Sequence, residues 1–258
     1  MSDALALYLR WRERARGIVA RYPAASFYRR ECEAVAASQS LFDTDSLVRR
    51  IHAAMTAVLE DDYGHGVVHV VKVALDAGAL MRIESRDLEP AGRLAHRMRM
   101  AQCAGLLHDL ARKQPEHAAR GALQAAELLQ DYPVDPADAQ DIAAAIRNHE
   151  AFKAAVGLDT PSAALLSDCL YDADKFRWGP DNFSDTLWAM LAYSRPPVEQ
   201  FLDRYASGME RLARIKSTFR TATGRRYGPE FIELGLAVGE ELYRVIRAEA
   251  GHAGGTRV

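Results

Sequence analysis

The chain has 258 residues, 49% of them apolar, with 33 Lys and Arg against 35 Asp and Glu and a formal charge of -2. That length and apolar content can supply a sizeable core, while the near-neutral balance excludes the broad basic excess that draws a chain to nucleic acid or to an anionic membrane surface. Any anionic substrate must be recognised locally, and no apolar run approaches the roughly 20 residues that span a bilayer.

Ala, Leu, Arg and Glu are abundant and strand-like alternation is scarce, so the expected fold class is all-α. Apolar spacing predicts helices over about 3–20, 25–37, 43–60, 66–83, 88–111, 116–130, 136–150, 161–176, 182–193, 197–221 and 229–249. Asp135-Pro136 and Thr160-Pro161 each put a capping side chain just ahead of a first-turn proline. Gln114-Pro115 and Gly228-Pro229 are weaker versions of the same start. The residues after Gly251 read as a frayed tail. No linker rich in Gly, Ser or Pro divides the chain, which predicts one helical domain with N- and C-terminal helices packed around a central bundle. Cys32, Cys103 and Cys169 are too dispersed for a disulfide framework or a cysteine-only zinc site, and fit a reducing compartment. Asp3, Arg10, Arg12, Arg14 and Arg16 break the apolar stretch a signal peptide requires, so the expected location is the cytoplasm.

Chemistry concentrates in the middle. His65, His69, His108, His117 and His149 lie within or beside expected helix ends, and helices can aim such side chains at a shared ion. His65 and His69 are spaced i, i+4 and share a helix face. Taken alone, His69 is as readily a hydrogen-bonded core histidine as a ligand. His108-Asp109 follows the apolar run CAGLL. Adjacent helical residues diverge by about 100°, so both can face one ion only where the helix ends, and Arg112, Lys113 and Pro115 follow as such an ending would require. A carboxylate buried there needs a cation. Asp172 and Asp174 flank the apolar face Leu165, Leu166, Cys169, Leu170 and Ala173 from opposite sides, so periodicity leaves the choice between them open.

Taken in order, GHGVVHVVKVA, GLLHDLARK, PEHAARGALQAAELL, AIRNHE and DADK resemble the H…HD…H…H…D pattern of the HD-domain superfamily of metal-dependent phosphohydrolases. The resemblance spans about residues 63–180 and leaves helices 1–62 and 181–250 as flanks. It implies an HD-type helical bundle. It also implies that His69, His108, Asp109 and Asp174 bind a first divalent transition metal, Mn, Fe, Ni, Co or Zn, with Asp174 preferred over Asp172 because it stands in an Ala-Asp-Lys context. His117 and His149 occupy the stations that bind a second ion in two-metal members. The doublet continues Leu110-Ala111-Arg112-Lys113 where many relatives carry H-D-[IL]-G-K, which shifts the lysine by one. Glu150-Ala151-Phe152 follow His149 where the cyclic-di-GMP-cleaving branch carries G-Y-P, which argues against that branch.

The expected reaction is hydrolysis of a phosphoester by metal-activated water. Asp109 holds the water or takes its proton, Arg112 and Lys113 assist, and His65, Lys175 and Arg177 contact the substrate. Phe176 and Trp178 next to Asp174 would suit stacking on a nucleobase, and so a nucleotide substrate, although such aromatics more often pack in a core. Two rival readings share the scaffold: a di-iron oxygenase, and a non-catalytic metal-containing regulatory protein.

Overall fold

The computed structural model describes residues 3–59, 66–86 and 90–254. Among them all regular structure is helical: α1 (Asp3–Val19), α2 (Ser26–Arg30), α3 (Cys32–Thr44), α4 (Ser46–Val58), α5 (Val67–Ser85), α6 (Ala91–Leu107), α7 (His117–Leu129), α8 (Pro136–Arg147), α9 (Pro161–Phe176), α10 (Leu187–Ser194), α11 (Val198–Ile215) and α12 (Ala222–Gly254), with a π-helical turn over Asn182–Thr186. No helix among the described residues is long and apolar enough to cross a membrane.

The centre of the fold is the pair α5 and α6, with α8 and α9 packed on it. α5 is buried through Val70, Val73, Ala74, Ala77 and Leu80, so it behaves as a core helix. Small residues let the pair approach closely. A methyl group added at Gly105 of α6 would stand 2.5 Å from the Ala74 Cα of α5, closer than any carbon contact allows. One turn away a buried polar knot ties in α3: the Gln102 amide donates to the Ser38 carbonyl at 2.7 Å, and the Ser38 hydroxyl donates to the Leu75 carbonyl at 2.7 Å. These contacts fix the ends of α5 and α6 that carry His69 and the His108-Asp109 doublet.

The proline-headed caps form as expected. Asp135 accepts from the Ala137 N–H at the start of α8, and Thr160 accepts from the Ala163 N–H at the start of α9. Several boundaries differ from the sequence reading. The helix expected over 25–37 is two, α2 and α3, broken at Glu31, and the following start moves to Ser46 because Asp45 caps it by accepting from Leu47 and Val48. The last helix starts at Ala222 and runs through Pro229 instead of beginning there. Thr221 is its cap, accepting from the Gly224 N–H at 2.7 Å, while the Glu84 carboxylate accepts from the Thr223 N–H at 2.7 Å. Two acidic groups, Glu84 and Asp172, therefore meet the positive end of α12. With its first turn anchored in this way, the helix tolerates the carbonyl that Pro229 leaves without a donor. At its other end α12 continues to Gly254, past the residue expected to begin the tail.

The flanks close on one another. The Tyr8, Trp11 and Phe201 rings cluster, with Tyr8 and Phe201 centroids 5.8 Å apart. Phe176 of α9 stacks on Phe231 of α12 at 4.1 Å and 10°. α11 runs alongside α12, and its N-terminal half meets the α1 region through Phe201.

Candidate metal centre

α6 ends at Leu107, and the chain turns through His108, Asp109 and Leu110, with the Leu110 N–H returning to the Leu107 carbonyl at 3.2 Å. That turn brings both side chains of the doublet to the same side. His69 reaches them from the first turn of α5 and Asp174 from the last turn of α9. All four are buried.

The donor atoms converge. His69 Nε2 lies 3.3 Å from His108 Nε2, 3.5 Å from Asp109 Oδ2 and 3.5 Å from Asp174 Oδ1. His108 Nε2 lies 3.2 Å from Asp109 Oδ2 and 3.7 Å from Asp174 Oδ1. Ligands bound to one transition metal at about 2.0–2.2 Å stand roughly 2.8–3.6 Å apart, depending on whether the geometry is octahedral or tetrahedral. The observed spacing fits such an ion with little adjustment.

The imidazoles are also prepared for it. His108 Nδ1 donates to the Gly105 carbonyl at 2.8 Å, which leaves Nε2 directed at the cluster. Although burial opposes protonation of His108, the Asp109 charge and its hydrogen bond raise the pKa above the usual histidine value. Burial likewise opposes ionisation of Asp174, yet the Lys175 charge and the hydrogen bond with His69 hold its carboxyl well below the usual range. Ionised acids facing imidazoles in a dry setting define a position that calls for positive charge.

A second donor group adjoins the first. His108, Asp109 and His149 form it, with His149 Nε2 3.8 Å from Asp109 Oδ1. His149 Nδ1 donates to the Ile146 carbonyl at 2.6 Å, and burial, then the neighbouring His108, push its pKa down to about 3. It therefore stays neutral, with the Nε2 lone pair available to face an ion. Asp109 faces both groups, one oxygen to each.

Other expected site residues fall differently. His117 lies beside His149, ring centroids 5.2 Å apart, but its Nε2 accepts from Arg112 Nη1 at 2.9 Å and its Nδ1 is 3.7 Å from Glu150. It stands outside both donor groups because Arg112 takes the lone pair. Arg112 lines the cavity above the centre, engaged with His117. Lys113 is exposed and rests over the Tyr193 ring at 5.7 Å, away from the cavity wall. A lysine displaced by one position has rotated off the face that Asp109 uses. Lys175 is buried and lines the cavity, donating to the His149 carbonyl at 2.9 Å and to Asp174. His65 lies outside the described residues.

Arg177 and Asp172 are held in buried networks, and Arg177 also lines the cavity. Arg177 forms a buried ion pair with Asp76 and also binds the Tyr28 hydroxyl at 2.6 Å and Asp181. Nothing in the sequence marks Asp76 as its partner. Arg177→Ala is expected to cost about 3 kcal/mol or more by stranding Asp76, visible as a lowered melting temperature; a residue that only contacts substrate would leave melting unchanged. Asp172 Oδ1 accepts from the Arg220 N–H at 2.8 Å, and its Oδ2 accepts from the N–H and hydroxyl of Thr221, each at 2.8 Å. It serves the start of α12, and Asp174 is the acid that faces the histidines. Phe176 is buried in its stack with Phe231 and cannot meet a base, whereas Trp178 does line the cavity.

That cavity, of about 490 Å³, opens from His69, Asp109, His149 and Asp174. Its far wall comes from α10 and α11, a contribution that sequence reading missed. The apolar positions 201, 205, 209 and 212 of α11 are visible as a helical stripe, but a stripe does not reveal whether it faces core or cavity.

The described residues form an all-helical bundle with a buried histidine and aspartate cluster that could hold a metal ion beside a cavity. Residues 66–179 match the family model of the HD domain. That segment carries an HD domain. No curated protein and no solved structure matches the chain.

Proposed function

We propose that the protein is a metal-dependent hydrolase of a small phosphoester. The observation that carries this reading is the convergence of Asp109 and Asp174 on His69 and His108, each carboxylate 3.2–3.7 Å from both imidazoles, beside the cavity. These four side chains would hold a divalent transition metal, and His149 with Asp109 and His108 would hold a second. Such an ion supplies a Lewis acid that makes water nucleophilic near neutral pH and offsets charge on phosphoryl oxygens.

The chain's own groups supply the rest. Asp109, with an oxygen toward each donor group, orients the attacking water. His149, held neutral by burial, offers its Nε2 lone pair to an ion beside Asp109. Lys175 holds Asp174 ionised and presents its side chain to the cavity, and Arg112 adds positive charge at the same end. The HD segment walls one side of the cavity and α10 and α11 the other, which supports treating the chain as a single working unit.

Metal content by elemental analysis and phosphate release from a panel of aryl phosphates and nucleotides, after reconstitution with Mn, Fe, Ni, Co or Zn, test the proposal. Tight metal binding with phosphate release is the expected result. Oxygen uptake with an organic substrate by protein purified without air would replace it with an oxygenase, which the second donor group could also serve. Metal-loaded protein inert in every assay would indicate a regulatory role.

A further inference from the structure

The cavity is far longer than a phosphoryl group requires, and its direction is set by α11. Arg211 and Arg214 near the end of that helix lie over the Phe152 ring at 5.6 and 4.7 Å, and Phe152 stands three residues after His149. At the other end Phe201 packs against Trp188, centroids 6.3 Å apart, and against Tyr8. The helix thus leads away from the donor cluster. Its residues Phe201, Tyr205, Met209 and Leu212 all line the cavity, a span of about 16 Å at about 1.5 Å per residue.

The rest of the lining is equally apolar. Trp178 and Phe183, with Leu187 and Met190 of α10, line the cavity, Phe183 within the π-helical turn and Leu187 directly after it. π-helical turns are rare and concentrate at functional sites, where the wider turn redirects side chains. Polar tips along this stretch are largely spent. The Tyr205 hydroxyl donates to the Gly239 carbonyl at 2.8 Å, so the cavity receives its ring. Beyond the metal end Asn182, Thr186 and the exposed Arg204 remain, too few to read both the edge of a base and the hydroxyls of a sugar.

We propose that the substrate is a phosphate ester of a long apolar alcohol, its phosphoryl group at the donor cluster and its hydrocarbon chain lying along α11 against the π-turn wall. The assignment rests on the phosphohydrolase reading for the head group and on the cavity walls for the tail. Cations outnumber acids near the donor cluster, where Lys175, Arg177, Arg112 and Arg211 line the cavity together with Glu150, which is paired with Lys153.

Calorimetric titration of the full chain, metal-loaded and chelated, with methyl, butyl, hexyl and octyl phosphate below their aggregation concentrations, and with AMP, tests it. Affinity is expected to rise about three- to fourfold for each added methylene, as burial of hydrocarbon dictates, and octyl phosphate is expected to bind more tightly than AMP. A flat series, or AMP binding more tightly than octyl phosphate, overturns the proposal. Met209→Glu and Met190→Glu place a charge in the cavity lining from α11 and from α10, each at a half-buried position. Each is expected to weaken octyl phosphate at least tenfold and to flatten the series, with circular dichroism reporting the fold. If one variant fails to fold, the other carries the test, and unchanged chain-length dependence in a folded variant refutes the tail site. Phosphate release from methyl phosphate and aryl phosphates in the same samples separates the two readings. Release with a flat series keeps the hydrolase and removes the tail site. A steep series without release from any ester keeps the tail site and removes the hydrolase.

Discussion

Asp109→Ala is expected to reduce bound metal to below a tenth of the wild-type amount and to lower phosphate release by roughly a thousandfold or more, with helix content preserved. Asp109 presents one oxygen to each donor group, Oδ2 at 3.2 and 3.5 Å from His108 and His69 and Oδ1 at 3.8 Å from His149. Its removal therefore empties both positions at once. The fold should survive because the side chain projects from a turn beyond α6 into a polar cluster and fills no part of the apolar core. Elemental analysis and circular dichroism on the same preparation check the two halves of the expectation. A variant that keeps its metal and turns over at the wild-type rate would show that the doublet is incidental.

Replacing Asp172 and Asp174 separately is expected to give opposite losses. Asp174→Ala should lose metal, since it withdraws the carboxylate 3.5 Å from His69 and 3.7 Å from His108, and should melt close to the metal-free wild type. Asp172→Ala should keep its metal and lose about 3 kcal/mol of stability, because the N–H groups of Arg220 and Thr221 are left buried without their acceptor. For a chain of this size that corresponds to a fall of roughly 6–12 °C in Tm. There is also little freedom for another side chain to replace it: the position where a Gly224 side chain would begin is already filled by the Asp172 carboxylate. Metal lost from the Asp172 variant and retained by the Asp174 variant would reverse the assignment.

Two aspartates separated by a single residue so differ in role, and this shows where sequence reading stops. Both flank the apolar face of α9. Which flank meets α5 and α6 and which meets the approach to α12 depends on how three helices pack, and no local pattern records that. Arg177 follows the same logic. Beside the DADK segment it resembles a substrate contact, yet Asp76, 101 positions earlier, claims it as a buried ion pair. Lys113 is the reverse case, a cation next to the doublet in sequence that the turn after α6 rotates into solvent.

Boundaries behave similarly. The caps of α8 and α9 were legible because capping is a local hydrogen bond between residues two or three apart. The start of α12 was misplaced because Gly228-Pro229 is the stronger local signal, and it is overridden by acids that arrive from Glu84 and Asp172. The break at Glu31 had no local marker at all.

By itself the sequence determined the helical class, through apolar spacing and the scarcity of alternation, and it placed His69, His108, Asp109 and Asp174 in a recognisable order, because helix periodicity and ligand type are properties of short segments. Only the tertiary structure decided which acid joins the histidines, that Arg112 engages His117, and that α11 walls a long apolar cavity. Those outcomes are set by distances between residues far apart in the chain, which packing alone establishes.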